Sequence, residues 1–468
     1  MKDFSVTSST NNLSPMLRLV VPALAEEFLV LMVTWTDWWL TGHYFQATGD
    51  ASKAAMGLMG YVMWVIPALF AAISIGATAL VARHVGSNDF KTASRVANQA
   101  FVVGVSIALV MTVVFILFGP QFVHVMQLRD PQAAKYANEY LSIILFIVPL
   151  IMCNQVGAAC LRGAGDTVTG FVAKLIVVMT NIVISAGLVT GWGPFPEVGW
   201  KGLAIGTATG HAIGGLIVLF VLIRGRAGLK LTRSQLPIDF SIIKRMFRIG
   251  LPGGFDSATL LLSQLLFLAI IYSLGKSSAA AHGLAIQIEA ILYLPGVAFH
   301  VAAATLAGQF LGAGMPGRAT SSSFLCFKAG CVVMSASGLI LYVAGPYLTL
   351  FFTGDMHDPT SVTAAELLKI VAFAAPAVAV IMILSGALRG AGDTVWPLFF
   401  TTIGFFGLRL PLALYFCFES LDLPLVGEIE GLGRGVQGAW YAMTFDVLLR
   451  SLMVWGRFFG GKWRSVKV

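Results

Sequence analysis

Charge is scarce in this sequence of 468 residues. Asp, Glu, Lys and Arg together make up 11% of it, against about 25% in soluble globular domains. That shortage excludes a water-soluble enzyme, a disordered chain, and a nucleic-acid binder, which would need a basic face. Cysteine is scarce too. Cys153, Cys160, Cys326, Cys331 and Cys417 all lie within apolar stretches. Their odd number and the lack of a CxxC pair give neither a disulfide framework nor a metal-ligand spacing. Met1 to Ser14 is polar, without the short apolar core of a cleaved signal peptide. Insertion is therefore expected through the first true span. There is also no GxxxxGK[ST] phosphate loop.

What the chain has is apolar length. Hydrophobic residues make up 57%, and the mean hydropathy is +0.84. A membrane-spanning helix takes about 20 apolar residues. Twelve runs of that kind occur, near 16–42, 55–82, 94–118, 136–160, 168–190, 201–223, 245–274, 282–310, 322–344, 365–388, 396–418 and 437–459. They are continuous, unlike the alternating ten-residue strands of a porin. The expected fold class is an all-α membrane protein with twelve transmembrane helices. With the N-terminus inside, 22 of the 30 basic residues fall at the inner surface. The net charge of +8 then reports topology, with both termini cytoplasmic in the cell (inner) membrane. The longest basic connection follows the sixth run. It suggests an N-terminal six-helix lobe (1–223), a cytoplasmic linker (224–243) and a C-terminal six-helix lobe (244–468).

The halves repeat one another. LRGAGDT occurs at 161–167 and again at 388–394, 227 residues later. MLRLVVPAL, with Arg18 and Pro22, matches MFRIGLPGG, with Arg248 and Pro252. Gly86 and Gly312 close matching segments. Three anchors at nearly one offset imply two parallel six-helix repeats, related by an axis along the membrane normal. Such a duplication suits a transporter whose halves rock around a central path. In LRGAGDT, Gly and Asp suit a tight turn, and Asp166 and Asp393 are placed to cap the helices that follow. Gly202, Gly206, Gly210 and Gly214 form a small-residue stripe that permits close helix packing.

Further strings carry a family resemblance. They are TDWWLTGHY (36–44), GATALVARHVG (76–86), LRGAGDT twice, TNIVIS (180–185), AAHGLAIQIE (280–289), LPGVAF (294–299), LAGQFLGAG (306–314) and GLRLPLAL (407–414). In this order the chain resembles the multidrug and toxic compound extrusion (MATE) transporters over almost its whole length. The resemblance implies a secondary antiporter, not an enzyme. It would export amphipathic, often cationic, small organic compounds in exchange for H⁺ or Na⁺. It would need no cofactor beyond that coupling ion, no nucleic acid, and no partner other than the bilayer, working as a monomer. The alternatives are a lipid-linked oligosaccharide flippase of the same general fold, or a membrane acyltransferase suggested by the His84/Asp89 HxxxxD string.

A carboxylate inside a span is a functional candidate by default. Asp37 lies 19 residues after Arg18, about 28 Å along a helix, at the position matching the family's first-helix Asp. Asn181 and Ser185, four residues apart, share a face of the fifth span at similar depth. Asp37, Asn181 and Ser185 are the expected ion-coupling set, with Na⁺ a candidate at Asp37 and Asn181. One branch of the family has a second Asp at the position of Ser185, so a two-carboxylate Na⁺ site is in doubt here. Glu26, Glu27, Asp256 and Glu289 are cavity or substrate candidates. Glu26 and Glu27 are expected as solvated carboxylates at a cavity mouth. Another branch uses carboxylates deeper in the seventh span and in the tenth, where this chain has none. Prolines within spans free backbone carbonyls, and Pro22, Pro67 and Pro295 are the candidate hinges. Pro149 and Pro376 interrupt spans as well.

Overall fold

The computed structural model describes residues 11–45, 49–125, 130–423, 427–466 and 468. These are almost entirely helical. The chain divides into two compact units, Val21–Gly254 and Phe255–Val468, the second also holding the start of the first helix. Both divisions fall beside a proline, Pro22 and Pro252.

The first unit holds most of α1 (Leu13–Tyr44), then α2 (Gly49–Leu69), α3 (Ala71–Gly86), α4 (Phe90–Val125), α5 (Pro131–Leu145), α6 (Val148–Gly163), α7 (Val168–Thr190) and α8 (Trp200–Arg224). The beginning of α9 (Phe240–Ser273) completes it. The second unit continues with the rest of α9, α10 (Lys276–Gly312), α11 (Pro316–Thr353), α12 (Pro359–Ala372), α13 (Ala375–Ala379), α14 (Ser385–Gly390), α15 (Val395–Thr402), α16 (Leu410–Cys417) and α17 (Gly435–Phe459). π-Helical turns at Val380–Leu384 and Ile403–Arg409 join α13 to α14 and α15 to α16.

All twelve expected apolar runs fall on these helices. Eight helices among the described residues are long and apolar enough to cross a membrane, and two bent pairs raise the number to ten. The remaining two runs fall on α1 and α17. These are long enough, but they carry buried charges: Asp37 on α1, and Asp446 and Arg450 on α17. The fold also departs from all-α in one place. β1 (Ser420–Leu423) and β2 (Gly427–Glu430) form an antiparallel hairpin between α16 and α17. Its alternation is too short to stand out beside runs of twenty.

The two bent pairs explain themselves. Helices α5 and α6 meet at 59°, and α12 and the α13–α14 segment at 60°. Pro149 and Pro376 lie four residues after Leu145 and Ala372, the last residues of α5 and α12. A proline has no N–H for the carbonyl four residues back and clashes with it, so the ladder breaks there in both units. By contrast, α1 and α10 run unbroken through Pro22 and Pro295. Pro67 lies inside α2, just before the α2–α3 break at Phe70.

The LRGAGDT turns are alike as well. Gly165 and Gly392 have φ of 91° and 89°, where only glycine is unstrained. Asp166 N donates to Leu161 O at 2.8 Å, and Asp393 N to Leu388 O at 2.9 Å. A Cβ on Gly163 would collide with the backbone carbonyl of Thr78, and one on Gly390 with that of Ala304. Thr78 and Ala304 are themselves 226 residues apart.

The segment 224–243, expected as a linker between lobes, is part of the first unit, whose boundary falls at Gly254. Two amides buried on α4 hold it. Asn98 donates to Lys230 O (3.1 Å), and Gln99 to Gln235 O (3.0 Å) and Pro237 O (2.9 Å). Polar side chains buried in an apolar helix need such partners, and the basic segment supplies them from its backbone.

Candidate ion-coupling site

Helix α1 carries Asp37 into the first unit. Trp35, Trp38 and Trp39 beside it are exposed, whereas Asp37 is 6% exposed. The aromatic neighbours therefore face outward, and the carboxylate faces α7 and α8. Thr207 of α8 donates to Asp37 Oδ2 at 3.0 Å. Asn181 of α7 donates to Thr207 Oγ1 at 3.0 Å and to Ser185 Oγ at 3.3 Å. Tyr140 of α5, also buried, is an electrostatic neighbour of Asp37. Asp37 Oδ1 and Asn181 Oδ1 are buried without a hydrogen-bond partner among the described residues.

The glycine stripe makes this approach possible. A Cβ on Gly206 would collide with Ser185, one on Gly202 with Leu188, and one on Gly214 with Val177. With hydrogen there instead, α8 lies directly on α7 and brings Thr207 into reach of both Asn181 and Asp37. The structure thus joins Asp37 to Asn181 through Thr207 and places Ser185 on the far side of Asn181. Sequence reading missed Thr207 and Tyr140. Thr207 follows Gly206 within the stripe, so its face was legible once that stripe was assigned to α7. Tyr140 carries no such signal.

An orphan carboxylate oxygen in an apolar interior is costly unless it gains a proton or a cation. The donor set has one carboxylate, one amide oxygen and two hydroxyls. No group of three or more His, Cys, Asp or Glu capable of holding a metal occurs among the described residues. A proton needs a single lone pair, whereas a hard cation needs a fuller oxygen shell.

The other candidates lie elsewhere. Glu26 pairs with Arg162 at 3.5 Å, and Glu27, half-buried, has Arg162 and Lys174 as its cationic neighbours. Glu26 is therefore held by the first LRGAGDT arginine, in place of the solvated position expected at a cavity mouth. In the second unit, Asp256 is fully buried and pairs with Arg389. Asp166 does more than cap. Asp166 accepts from Thr169 N at 3.1 Å, at the start of α7, and also pairs with Arg226 at 2.8 Å. Asp393 pairs with Arg457 at 2.8 Å. The HxxxxD string is a contact of His84 Nδ1 with Asp89 Oδ2 at 3.4 Å, and Asp89 also accepts from Thr92 N and so caps α4. Those hydrogen bonds from Thr92 hold the Asp89 carboxyl below its usual range.

Glu289 is 3% exposed, with Oε1 unpartnered among the described residues. Arg409, which the sequence places within an apolar run as almost the only mid-span cation, is 3% exposed. The structure adds Asp446 and Arg450, both buried on α17.

Two units that share the duplicated LRGAGDT turn, helices apolar enough to cross a membrane, and a carboxylate buried among such helices mark a polytopic membrane transporter. The profile of the MatE family matches residues 22–186 and 252–415, and the chain belongs to that family; it is not an enzyme. It is 26% identical over 451 residues to a probable multidrug resistance protein NorM of Thermotoga maritima, covering 96% of this chain and 93% of that one. It is 25% identical to the multidrug resistance protein NorM of Burkholderia vietnamiensis, covering 94% and 92%. Among solved structures, it superposes on the outward-facing conformation of a multidrug resistance MATE family transporter of the MOP superfamily. The TM-score is 0.88 at 18% identity, with 100% and 99% of the chains covered. A MATE in a bent conformation matches with a TM-score of 0.86 at 19% identity, covering 99% and 98%.

Proposed function

We propose that this chain is a proton-coupled antiporter that exports amphipathic, cationic organic compounds across the cell membrane, working as a monomer with both termini in the cytoplasm. The observation that carries this reading is the half-satisfied carboxylate of Asp37. One oxygen is held by Thr207, and the other is buried with no partner among the described residues. A protonated Asp37 gains a donor, and its contacts with Thr207 and Asn181 rearrange. Reorienting those two side chains alters the packing of α1 on α7 and α8, the mechanical link from ion binding to substrate release. The NorM relatives named as multidrug resistance proteins support an efflux role.

The energetics are adequate. Exchange of one proton for one monovalent cation moves no net charge, so the pH gradient is the driving force, and each pH unit, about 1.4 kcal/mol, supports about tenfold accumulation of substrate per proton. The test is uptake of a cationic dye into proteoliposomes under separately imposed proton and Na⁺ gradients. A proton gradient should drive transport, and Asp37→Asn should abolish it while the protein stays folded. Transport driven only by Na⁺ would replace the proton with Na⁺ at Asp37 and Asn181. Undiminished efflux by Asp37→Asn would remove Asp37 from the mechanism.

A further inference from the structure

The second unit buries four charged side chains together. Arg409 ends the π-helical turn before α16, and Asp446 and Arg450 lie one turn apart on α17. Arg409 Nε donates to Asp446 Oδ2 at 2.9 Å, and Arg450 Nε and Nη2 donate to Asp446 Oδ1 and Oδ2, each at 2.7 Å. Both guanidinium groups lie over Phe405, at 4.2 and 4.6 Å from the ring centre. Two local features build this cluster. Pro411 has no N–H for the carbonyl of Gly407, so the helix runs through a π turn just ahead of it. Gly404 lets α17 in, because a Cβ there would collide with Arg450 and Asp446.

The charges do not balance without Glu289. Asp446 offsets one arginine and leaves a single positive charge in the membrane interior, which is expensive. Glu289, on α10, has Arg409 and Tyr293 as its electrostatic neighbours. Ionised, it brings the cluster to zero; protonated, it leaves the cluster at +1. Among the described residues its Oε1 has no partner and is the carboxylate oxygen of the cluster open to a proton.

We infer that Glu289 is a second proton-binding site, whose protonation makes the second unit electropositive and so expels a cationic substrate by charge repulsion. The proton is transferred from hydronium: one O–H bond of the hydronium breaks, one forms on the Glu289 carboxylate, and water is left. Asp446 cannot serve, because two arginines occupy both its oxygens. On α11, which packs against α10, Cys326 is buried and Cys331 half-buried, while Lys328, Tyr342 and Tyr347 are exposed. On α10, Tyr293 adjoins Glu289, while His282 accepts from the Trp440 indole at 3.1 Å. Around it are Arg409 and, one step further, Asp446 and Arg450. On α12, Glu366 is engaged by Gln437 and Lys369 is exposed. Arg389 on α14 is bound to Asp256.

The proton site itself does not rest on the antiport reading; the expulsion of substrate does, and two measurements keep them apart. The first is pH-difference infrared spectroscopy of the purified full-length protein, without substrate. The wild type should show two carboxyl C=O bands that appear on acidification. Asp37→Asn should remove one and Glu289→Gln the other, and Glu289→Asp should shift the second band if the amide variant does not fold. A Glu289→Gln spectrum with both bands intact overturns the inference. The second is binding of tetraphenylphosphonium as a function of pH. Glu289→Gln fixes the cluster at +1, so affinity should fall on the order of tenfold, for like charges about 10 Å apart at an effective dielectric near 20. Wild-type affinity at every pH overturns the repulsion. Both bands present with no proton-driven uptake of the cation uphold the site and overturn the antiport reading.

Discussion

Arg162 and Arg389, the same residue of the duplicated LRGAGDT string, are each paired with a carboxylate on the first helix of their own half. The partners, Glu26 and Asp256, are 230 residues apart, close to the 227 that separate the arginines. The motif aspartates extend the pattern. Asp166 takes Arg226 just past α8, and Asp393 takes Arg457 near the end of α17. In each unit, seven residues therefore tie the fourth span to the first and to the end of the sixth.

Breaking one tie should be costly and repairable. Glu26→Gln leaves Arg162 with Glu27 as its nearby carboxylate and should cost about 1–3 kcal/mol, below the 3–5 kcal/mol of a well-formed buried pair because the contact is long at 3.5 Å. The exchanged double variant Glu26→Arg/Arg162→Glu should recover part of that loss in detergent melts. A double variant no better than the sum of the single ones would show that the two residues do not interact.

Gly206→Ala tests the approach of α8 to α7. The added methyl meets Ser185, and overpacking of this kind costs about 1–3 kcal/mol. Because Thr207 is carried by the same turn, proton-driven uptake should fall along with the melting temperature. Gly283→Ala, whose Cβ would meet nothing within 4 Å, is the control: it should leave uptake unchanged and raise the melting temperature slightly, since alanine favours a helix interior by about 1 kcal/mol.

Pro149→Ala and Pro376→Ala should each restore a backbone bond, to Leu145 and Ala372 respectively. Interior proline weakens a helix by about 3 kcal/mol, so melting temperatures should rise. If the 59° and 60° bends are part of the transport cycle, vesicle uptake should fall at the same time. A lowered melting temperature would mean that the surrounding helices, not the prolines, impose the bends.

Asp393 lies in a connection between α14 and α15, and its carboxyl is held above its usual range. Burial raises it, and this outweighs the opposing hydrogen bond and charge of Arg457. A carboxyl that binds its proton more tightly folded than unfolded makes folding less favourable as pH rises from its ordinary value to its folded one. Unfolding measured across that window should show this loss. Asp393→Asn should flatten the window, and an unchanged pH profile would contradict the assignment.

The sequence by itself determined the class of this protein. Continuous apolar runs of twenty or more residues leave helices as the way to satisfy the backbone in lipid, and an identical seven-residue string at a fixed offset can only be a repeat. It also picked out Asp37, because a carboxylate in an apolar run stands out wherever it points. Tertiary structure decided everything that depends on partners. Thr207 is an ordinary threonine until a glycine beside it lets α8 touch α7. Asp446 and Arg450 pass as residues of a terminal helix until a π turn places Arg409 against them. Glu26 reads as solvated until Arg162, 136 residues away, closes on it. Periodicity and apolar length are local properties of the chain. The pairing of buried charges is not local, because the free energy of each depends on which distant side chain the packing delivers to it.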